Sequence, residues 1–171
     1  DFVTVGFEGL AHTIDALGGI EIQIDEEERE YPNQYVHDMH LELGTEDTPV
    51  EESGTVLMNG IQATAYSRIR YTAGDDFKRA SRQREVLMAI EEQAKKADFA
   101  TLKRVFEAAI DDIYTSLDSS DILDLLANIA NYRISDQNGF PQENMRTVAN
   151  VGAKGSSVIP TSLESNVVWL H

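Results

Sequence analysis

The sequence predicts one α/β domain, because strand-like and helix-like periods follow one another along a chain of 171 residues. The stretch GIEIQI alternates apolar and polar residues, which predicts a short strand with Ile20, Ile22 and Ile24 on one face. Later in the chain, apolar residues recur every three or four positions, which predicts amphipathic helices. The composition, 42% hydrophobic and 26% charged, is typical of a soluble folded domain.

The N-terminal third combines strand, helix and loop signals. DFVTVGF alternates as a strand does, and FEGLAHTIDALGG predicts a helix that ends at Gly18 and Gly19. That helix carries a stripe of apolar residues at helical spacing: Phe7, Leu10, Ile14 and Leu17. Residues 25–55 are acidic, contain two prolines and show no sustained period, so they predict a long loop with at most a short strand at MHLEL.

The remainder of the chain is mostly helical in pattern. LMNGIQATAYSR predicts a short helix, a long helix follows over 77–97, and a third covers 99–116. A further helix is predicted from a cap at Ser119 or Ser120 to Tyr132. ENMRTVANVG predicts a strand, SSVIPTS a connection, and LESNVVWLH a closing helical turn.

Charge and cysteine content exclude several classes of function. The net charge of −16 argues against general nucleic-acid binding, which needs a basic surface. The absence of cysteine excludes disulfides, thiolate catalysis and cysteine-based metal sites. No apolar run reaches the roughly 18 residues that indicate a membrane span.

Positive charge is nevertheless concentrated in one segment. Six of the fourteen Lys and Arg residues lie between Arg68 and Arg84. Arg68 and Arg70 share one side if their segment is extended, because side chains two apart then point the same way. The spacing of Arg79, Arg82 and Gln83 places those three on one face of a helix near its N-terminus.

This arrangement predicts a site for a multiply charged anion, with pyrophosphate the natural ligand. Guanidinium groups match phosphate oxygens in pairs, and a helix N-terminus offers free N–H groups. An aspartate of the same segment, Asp75 or Asp76, could orient an arginine or help hold a divalent metal. The alternative is a solvated helix face with ordinary ion pairs to glutamates such as Glu85 and Glu91.

A second candidate ligand set is the histidine pair in HDMH, His37 and His40. On a helix, histidines three apart can bind zinc. Within the predicted acidic loop, the expectation is a solvent-exposed pair without a metal.

Several motifs together resemble the LytR-CpsA-Psr (LCP) family. TIDALGGIEIQI, MNGIQATAYSRIRY, GDDFKRASRQREVLMAI and VIPTSLESNVVWLH are similar to that family in this order and at about this spacing. The resemblance implies a three-layer α/β/α sandwich with a mixed central sheet, an apolar tunnel for a lipid, and Mg²⁺ beside a pyrophosphate. It also implies that 1–171 is an LCP catalytic domain incomplete at its N-terminal side, without the N-terminal strands and the aspartates that hold the metal.

The resemblance further implies a phosphotransferase. It would transfer a teichoic acid-like or capsular glycopolymer from a polyprenyl-pyrophosphate carrier to peptidoglycan, at the extracytoplasmic face of a bacterial membrane, tethered by an N-terminal helix that this chain lacks. Its catalytic and substrate-binding residues would be these: Arg68, Arg70, Asp76, Arg79, Arg82 and Gln83. The lipid would lie along apolar side chains such as Val86, Leu87 and Ile90, unless those form the core. The alternative function is a non-catalytic module that binds polyprenyl pyrophosphate or another polyanion.

Overall fold

A computed structural model describes residues 1–70, 75–152 and 155–171, with the backbone alone for 75–77. Contacts divide these residues into a first unit, Asp1–Ile134, and a second unit, Ser135–His171. The helices of the first unit are α1 (Phe7–Ala16), α2 (Tyr31–Leu43), α3 (Gly60–Arg68), α4 (Asp75–Lys96), α5 (Phe99–Ala109) and α6 (Ser119–Ala127). Its strands are β1 (Val3–Val5), β2 (Ile20–Ile24), β3 (Gly54–Met58) and β4 (Ile113–Thr115). The second unit contains β5 (Arg146–Asn150), β6 (Ser156–Pro160) and α7 (Leu163–Leu170).

The α/β class predicted from the sequence periods is confirmed. Within the described residues the strands pair antiparallel in three sheets of two strands each: β1 with β4, β2 with β3, and β5 with β6. No helix of this part of the chain is both long and apolar enough to span a bilayer.

The core of the first unit forms around β2. The three isoleucines predicted to share a face, Ile20, Ile22 and Ile24, are all buried. Helices α1, α3 and α4 pack over them, α3 with Tyr66 and α4 with Val86. The core therefore holds together the helices that carry the arginine-rich segment.

The long loop predicted over residues 25–55 is wrong, as is its short strand, because helix α2 occupies the middle of this segment. Pro32, Val36 and Met39 recur at helical spacing and are buried. Pro32 lies in the first turn, where a missing N–H costs nothing. Gly44 ends the helix in the left-handed conformation, with φ at 66°. The many acidic residues obscured this narrow apolar stripe.

Strand β3 was also missed, because its last residues were assigned to the helix that follows. Leu57 and Met58 belong to β3, and Met58 pairs with Ile20 of β2. Helix α3 begins only at Gly60, behind the cap Asn59. The Asn59 side chain accepts from the Gln62 N–H at 2.9 Å, and the Gln62 side chain accepts from the Asn59 N–H at 3.0 Å. This reciprocal pair stabilises the start of α3.

We expect Asn59→Ala to lower the free energy of unfolding by about 1 kcal/mol, since an N-cap side chain is worth roughly that much. Asn59→Ser, which keeps an acceptor oxygen, should recover most of the loss. Urea denaturation followed by circular dichroism measures both. Equal unfolding midpoints for Asn59→Ala and the unaltered chain would contradict the role of the cap.

In the later part of the chain, α4 is found as predicted, and the other elements differ at their ends. The helix predicted over 99–116 ends with α5, and β4 follows because Ile113 and Thr115 pair with β1. Helix α6 is capped by Asp118 rather than by a serine, and its carboxylate accepts from two backbone N–H groups. The predicted connection SSVIPTS contains strand β6, and the closing turn is the full helix α7.

Candidate active site

Arg68 and Arg70 flank a buried residue at the end of α3. Arg68 is the last residue of the helix, and Ile69 follows with a non-helical backbone, φ −53° and ψ 128°. Ile69 is fully buried in the core. The chain therefore leaves the helix between the two arginines, at a residue that the core holds in place.

Helix α4 brings two more of the predicted residues to the same place. Arg79 and Gln83 are one turn apart, so they share a face of α4. A cavity of about 420 Å³ lies between these elements. The described residues that line it are Phe7, Tyr35, Arg68, Arg70, Arg79 and Gln83. Four of the six residues predicted for the site thus meet in one cavity.

Two aromatic rings orient the first arginine. The guanidinium carbon of Arg68 lies 4.6 Å from the ring centroid of Phe7 and 5.5 Å from that of Tyr35. Contacts at these distances attract a cation to the ring faces and restrict its motion. Sequence reasoning missed both rings as site residues. Phe7 was assigned to an apolar helix stripe, and Tyr35 lay in a segment predicted to be a loop.

Arg82 has a different position from the other arginines. Its side chain is only 3% exposed and pairs with Glu28, with Nη2 and Oε1 2.5 Å apart. Its Nη1 donates to the Ile69 carbonyl oxygen at 3.4 Å. Arg82 is absent from the described lining of the arginine cavity. Since Ile69 separates Arg68 from Arg70, this contact ties Arg82 to the backbone between the two cavity arginines.

The surroundings of Arg82 include a buried phenol. Tyr66 lies with its ring centroid 5.8 Å from the Arg82 guanidinium carbon and donates its hydroxyl to Glu85 Oε2 at 2.7 Å. Burial raises the pKa of Tyr66, and the hydrogen bond to Glu85 raises it further. The phenol therefore stays neutral and acts as a hydrogen-bond donor that ties α3 to α4.

Asp76 is the remaining residue predicted for the site, and magnesium is the ion predicted beside it. The side chain of Asp76 lies outside the described residues. Among the described side chains, no three of His, Asp and Glu lie together where they could hold a metal ion.

A second, less polar cavity of about 360 Å³ adjoins the arginine cavity. The two share Phe7 and Gln83. Among the residues predicted to contact the lipid, Val86 is buried and Leu87 is 49% exposed, and both line this second cavity. Ile90 packs against the core instead. One face of α4 thus passes from arginine at its start to apolar side chains further along.

Comparison with known proteins supports the resemblance seen in the sequence. The sequence model of the LytR_cpsA_psr family matches residues 1–163. Biofilm regulatory protein A of Streptococcus mutans is 30% identical over 129 residues, which cover 70% of this chain and 28% of that protein. The polyisoprenyl-teichoic acid–peptidoglycan teichoic acid transferase TagV of Bacillus subtilis is 25% identical over 118 residues, with coverage of 68% and 28%.

Solved structures show the same fold. Protein gbs0355 of Streptococcus agalactiae superposes with a TM-score of 0.67 at 23% identity, over 98% of this chain and 54% of that one. The crystal structure of B. subtilis TagV gives 0.61 at 22% identity, over 98% and 61%. TagT bound to LI-WTA gives 0.54 at 23% identity, over 75% and 43%.

The chain spans just over a quarter of the length of the two curated relatives. The family match nevertheless extends over almost the whole chain and contains every residue of the arginine cavity. Sequence and fold agree, and the chain belongs to the LytR-CpsA-Psr family.

Proposed function

We propose that this chain binds the pyrophosphate of a polyprenyl-pyrophosphate-linked glycopolymer and takes part in transfer of the polymer, teichoic acid-like or capsular, to peptidoglycan. The observation that carries the proposal is the cavity lined by Arg68, Arg70, Arg79 and Gln83. Three guanidinium groups around one cavity suit a ligand with two or three negative charges. The names of the relatives TagV and TagT, with teichoic acid in one and LI-WTA in the other, support a polymer of this class.

The two aromatic rings restrict the position of the Arg68 guanidinium in the site. Phe7 and Tyr35 hold the Arg68 guanidinium over their ring faces, beside the cavity that would take the anion. Gln83 adds a neutral amide that can donate to a phosphate or accept from a sugar hydroxyl. The adjoining cavity, with Val86 and Leu87, would take the first isoprene units of the carrier.

In the proposed reaction, a peptidoglycan hydroxyl attacks the phosphorus nearer the polymer. A new phosphorus–oxygen bond forms, the bond to the bridging oxygen breaks, and polyprenyl phosphate leaves with the electron pair. The arginines stabilise negative charge that develops on the bridging and leaving oxygens. The hydroxyl proton passes to a base, for which Asp76 is the candidate by family resemblance. Magnesium, also implied by that resemblance, would add further charge neutralisation when bound.

The proposal places the reaction at the extracytoplasmic face of the membrane, where the carrier and peptidoglycan meet. The alternative is a module that holds the same anion without turnover. Transfer to peptidoglycan with magnesium present distinguishes the two, because the module would bind the carrier and leave it unchanged.

We expect Arg68→Ala and Arg79→Ala each to weaken binding of a short-chain polyprenyl pyrophosphate roughly 10- to 100-fold, the loss of one or two charge-assisted hydrogen bonds. Isothermal titration calorimetry, with and without magnesium, measures the change. Arg104→Ala is the matched control, because it removes one positive charge from α5, where Arg104 donates only to Thr101 among its described contacts. Equal affinities in all three variants would overturn the proposal.

A further inference from the structure

The HDMH motif lies on α2, outside the cavity described above. Helix α2 places His37 and His40 on one face, three residues apart, with ring centroids 6.1 Å apart. The condition under which this spacing can bind a metal, a helical backbone, is therefore met.

Both rings contact the segment that follows the helix through the same ring nitrogen. His37 Nδ1 lies 2.9 Å from Asp47 Oδ2, and His40 Nδ1 contacts the carbonyl oxygen of Thr45. The left-handed turn at Gly44 brings this segment back toward the rings. Two imidazoles of one helix face thus direct their Nδ1 atoms to the stretch 45–47.

These partners determine which nitrogen carries the proton. A carbonyl or an ionised carboxylate can only accept a hydrogen bond, so Nδ1 must donate in both histidines. In a neutral ring the lone pair then lies on Nε2. Metal-binding histidines show this same pattern, with one nitrogen donating to a carboxylate or carbonyl and the other bound to the ion.

We infer that His37 and His40 bind a divalent transition metal of the zinc class through their two Nε2 atoms. Zinc–nitrogen bonds are about 2.0–2.1 Å, so two imidazoles on one zinc have ring centroids roughly 5–6 Å apart. The centroid separation found here is 6.1 Å with 37° between the ring planes, close to that range. The His37 side chain is 58% exposed, so an ion reaches it from solvent.

The site has two protein ligands in the described part of the chain, where no third His, Asp or Glu completes a group. Water fills the remaining positions, as it does at open zinc sites. Imidazole prefers zinc, nickel and copper to magnesium, which selects oxygen ligands. The site shares no residue with the arginine cavity, so its test is independent of the proposed function.

The test is a titration of the 171-residue chain with zinc chloride, by calorimetry in the presence of millimolar magnesium. We expect one saturable zinc ion per chain that magnesium does not displace. His37→Ala and His40→Ala should each lower the association constant at least about tenfold, since even loss of an outer hydrogen-bond partner costs 10- to 100-fold. Asp47→Ala, which removes only such an outer partner, should lower the association constant about tenfold.

His12→Ala is the matched control. His12 is also exposed and also contacts a carboxylate, Asp112 Oδ2 at 3.1 Å, but no second imidazole pairs with it in the described part of the chain. Its loss should leave zinc binding unchanged. Zinc-dependent shifts of the His37 and His40 ring signals in the unaltered chain, by nuclear magnetic resonance, give a readout independent of any variant. Absence of saturable binding, or binding retained in either single variant, would overturn the inference and leave the pair as a helix-end contact alone.

Discussion

Gly60→Ala is expected to lower the free energy of unfolding of the first unit by about 2 kcal/mol, although alanine is the better helix former. A Cβ atom at Gly60 would lie 2.1 Å from the Ala11 carbonyl oxygen and 2.6 Å from its carbonyl carbon. These are backbone atoms of α1, so no side-chain rotation relieves the overlap. Gly60 also donates its N–H to Asp15 Oδ1 at 2.7 Å, which holds the start of α3 against α1.

The sign of the effect follows from two magnitudes. A change from glycine to alanine in a helix gains at most about 1 kcal/mol. Overpacking costs about 1–3 kcal/mol, and more where the structure cannot adjust. A contact between two helix backbones falls at the upper end of the overpacking range. The steric cost therefore exceeds the gain in helix propensity.

Urea denaturation should be followed by far-ultraviolet circular dichroism, because the single tryptophan, Trp169, belongs to the second unit. Gly139→Ala is the control, since its Cβ would meet only Arg146 Nη1, at an ordinary 3.7 Å. A Gly60→Ala chain as stable as the unaltered one would show that α1 and α3 can separate without cost. Because Arg68 ends α3, we also expect this variant to bind polyprenyl pyrophosphate more weakly.

The second large effect is expected at the pair Glu28 and Arg82. Glu28→Gln removes the carboxylate that pairs with a guanidinium only 3% exposed. Removal of one partner of a buried ion pair costs about 3–5 kcal/mol. The Glu28 side chain is 20% exposed, and Arg82 keeps its bond to the Ile69 carbonyl, so we expect the lower end, about 3 kcal/mol.

A double-mutant cycle separates this pairing from packing. Arg82→Met keeps much of the side-chain volume and leaves Glu28 partly hydrated, so it should cost less than Glu28→Gln. The double variant should cost clearly less than the sum of the two single changes. Additive losses would show that the two groups do not stabilise each other. Lys103, whose partner Glu107 is 59% exposed, offers a surface control, since Glu107→Gln should change stability by less than about 1 kcal/mol.

The Arg82 prediction also tests how the site is held in shape. Arg82 contacts the backbone between Arg68 and Arg70 without lining their cavity. Arg82→Met is therefore expected to weaken anion binding through a change in position of these arginines. Asn59→Ala is a useful comparison, because it destabilises the start of α3, whereas Arg82 contacts the backbone just after the end of α3. Weaker anion binding in Arg82→Met than in an equally destabilised Asn59→Ala chain would therefore report the position of the arginines.

Periodicity in the sequence was sufficient to predict the helices and strands that bury a clear apolar face. β2, with its three alternating isoleucines, and α1 and α4 were predicted near their observed bounds. The spacing of Arg79 and Gln83 likewise determined that they share a face, because a helix repeats every 3.6 residues whatever surrounds it. The family was identified from motifs whose order and spacing the chain itself contains.

Only the tertiary structure decided which of the predicted cations line the cavity. Arg82 and Gln83 are neighbours in the sequence, yet one is buried against Glu28 and the other lines the cavity, since adjacent residues on a helix differ in direction by about 100°. Helix α2 forms in a segment that was predicted to be an acidic loop. It does so because its few apolar residues pack against α1 and α3 in the core. Tyr35 and the histidine pair gained their positions from that helix, and contacts between distant segments are not encoded in local periodicity.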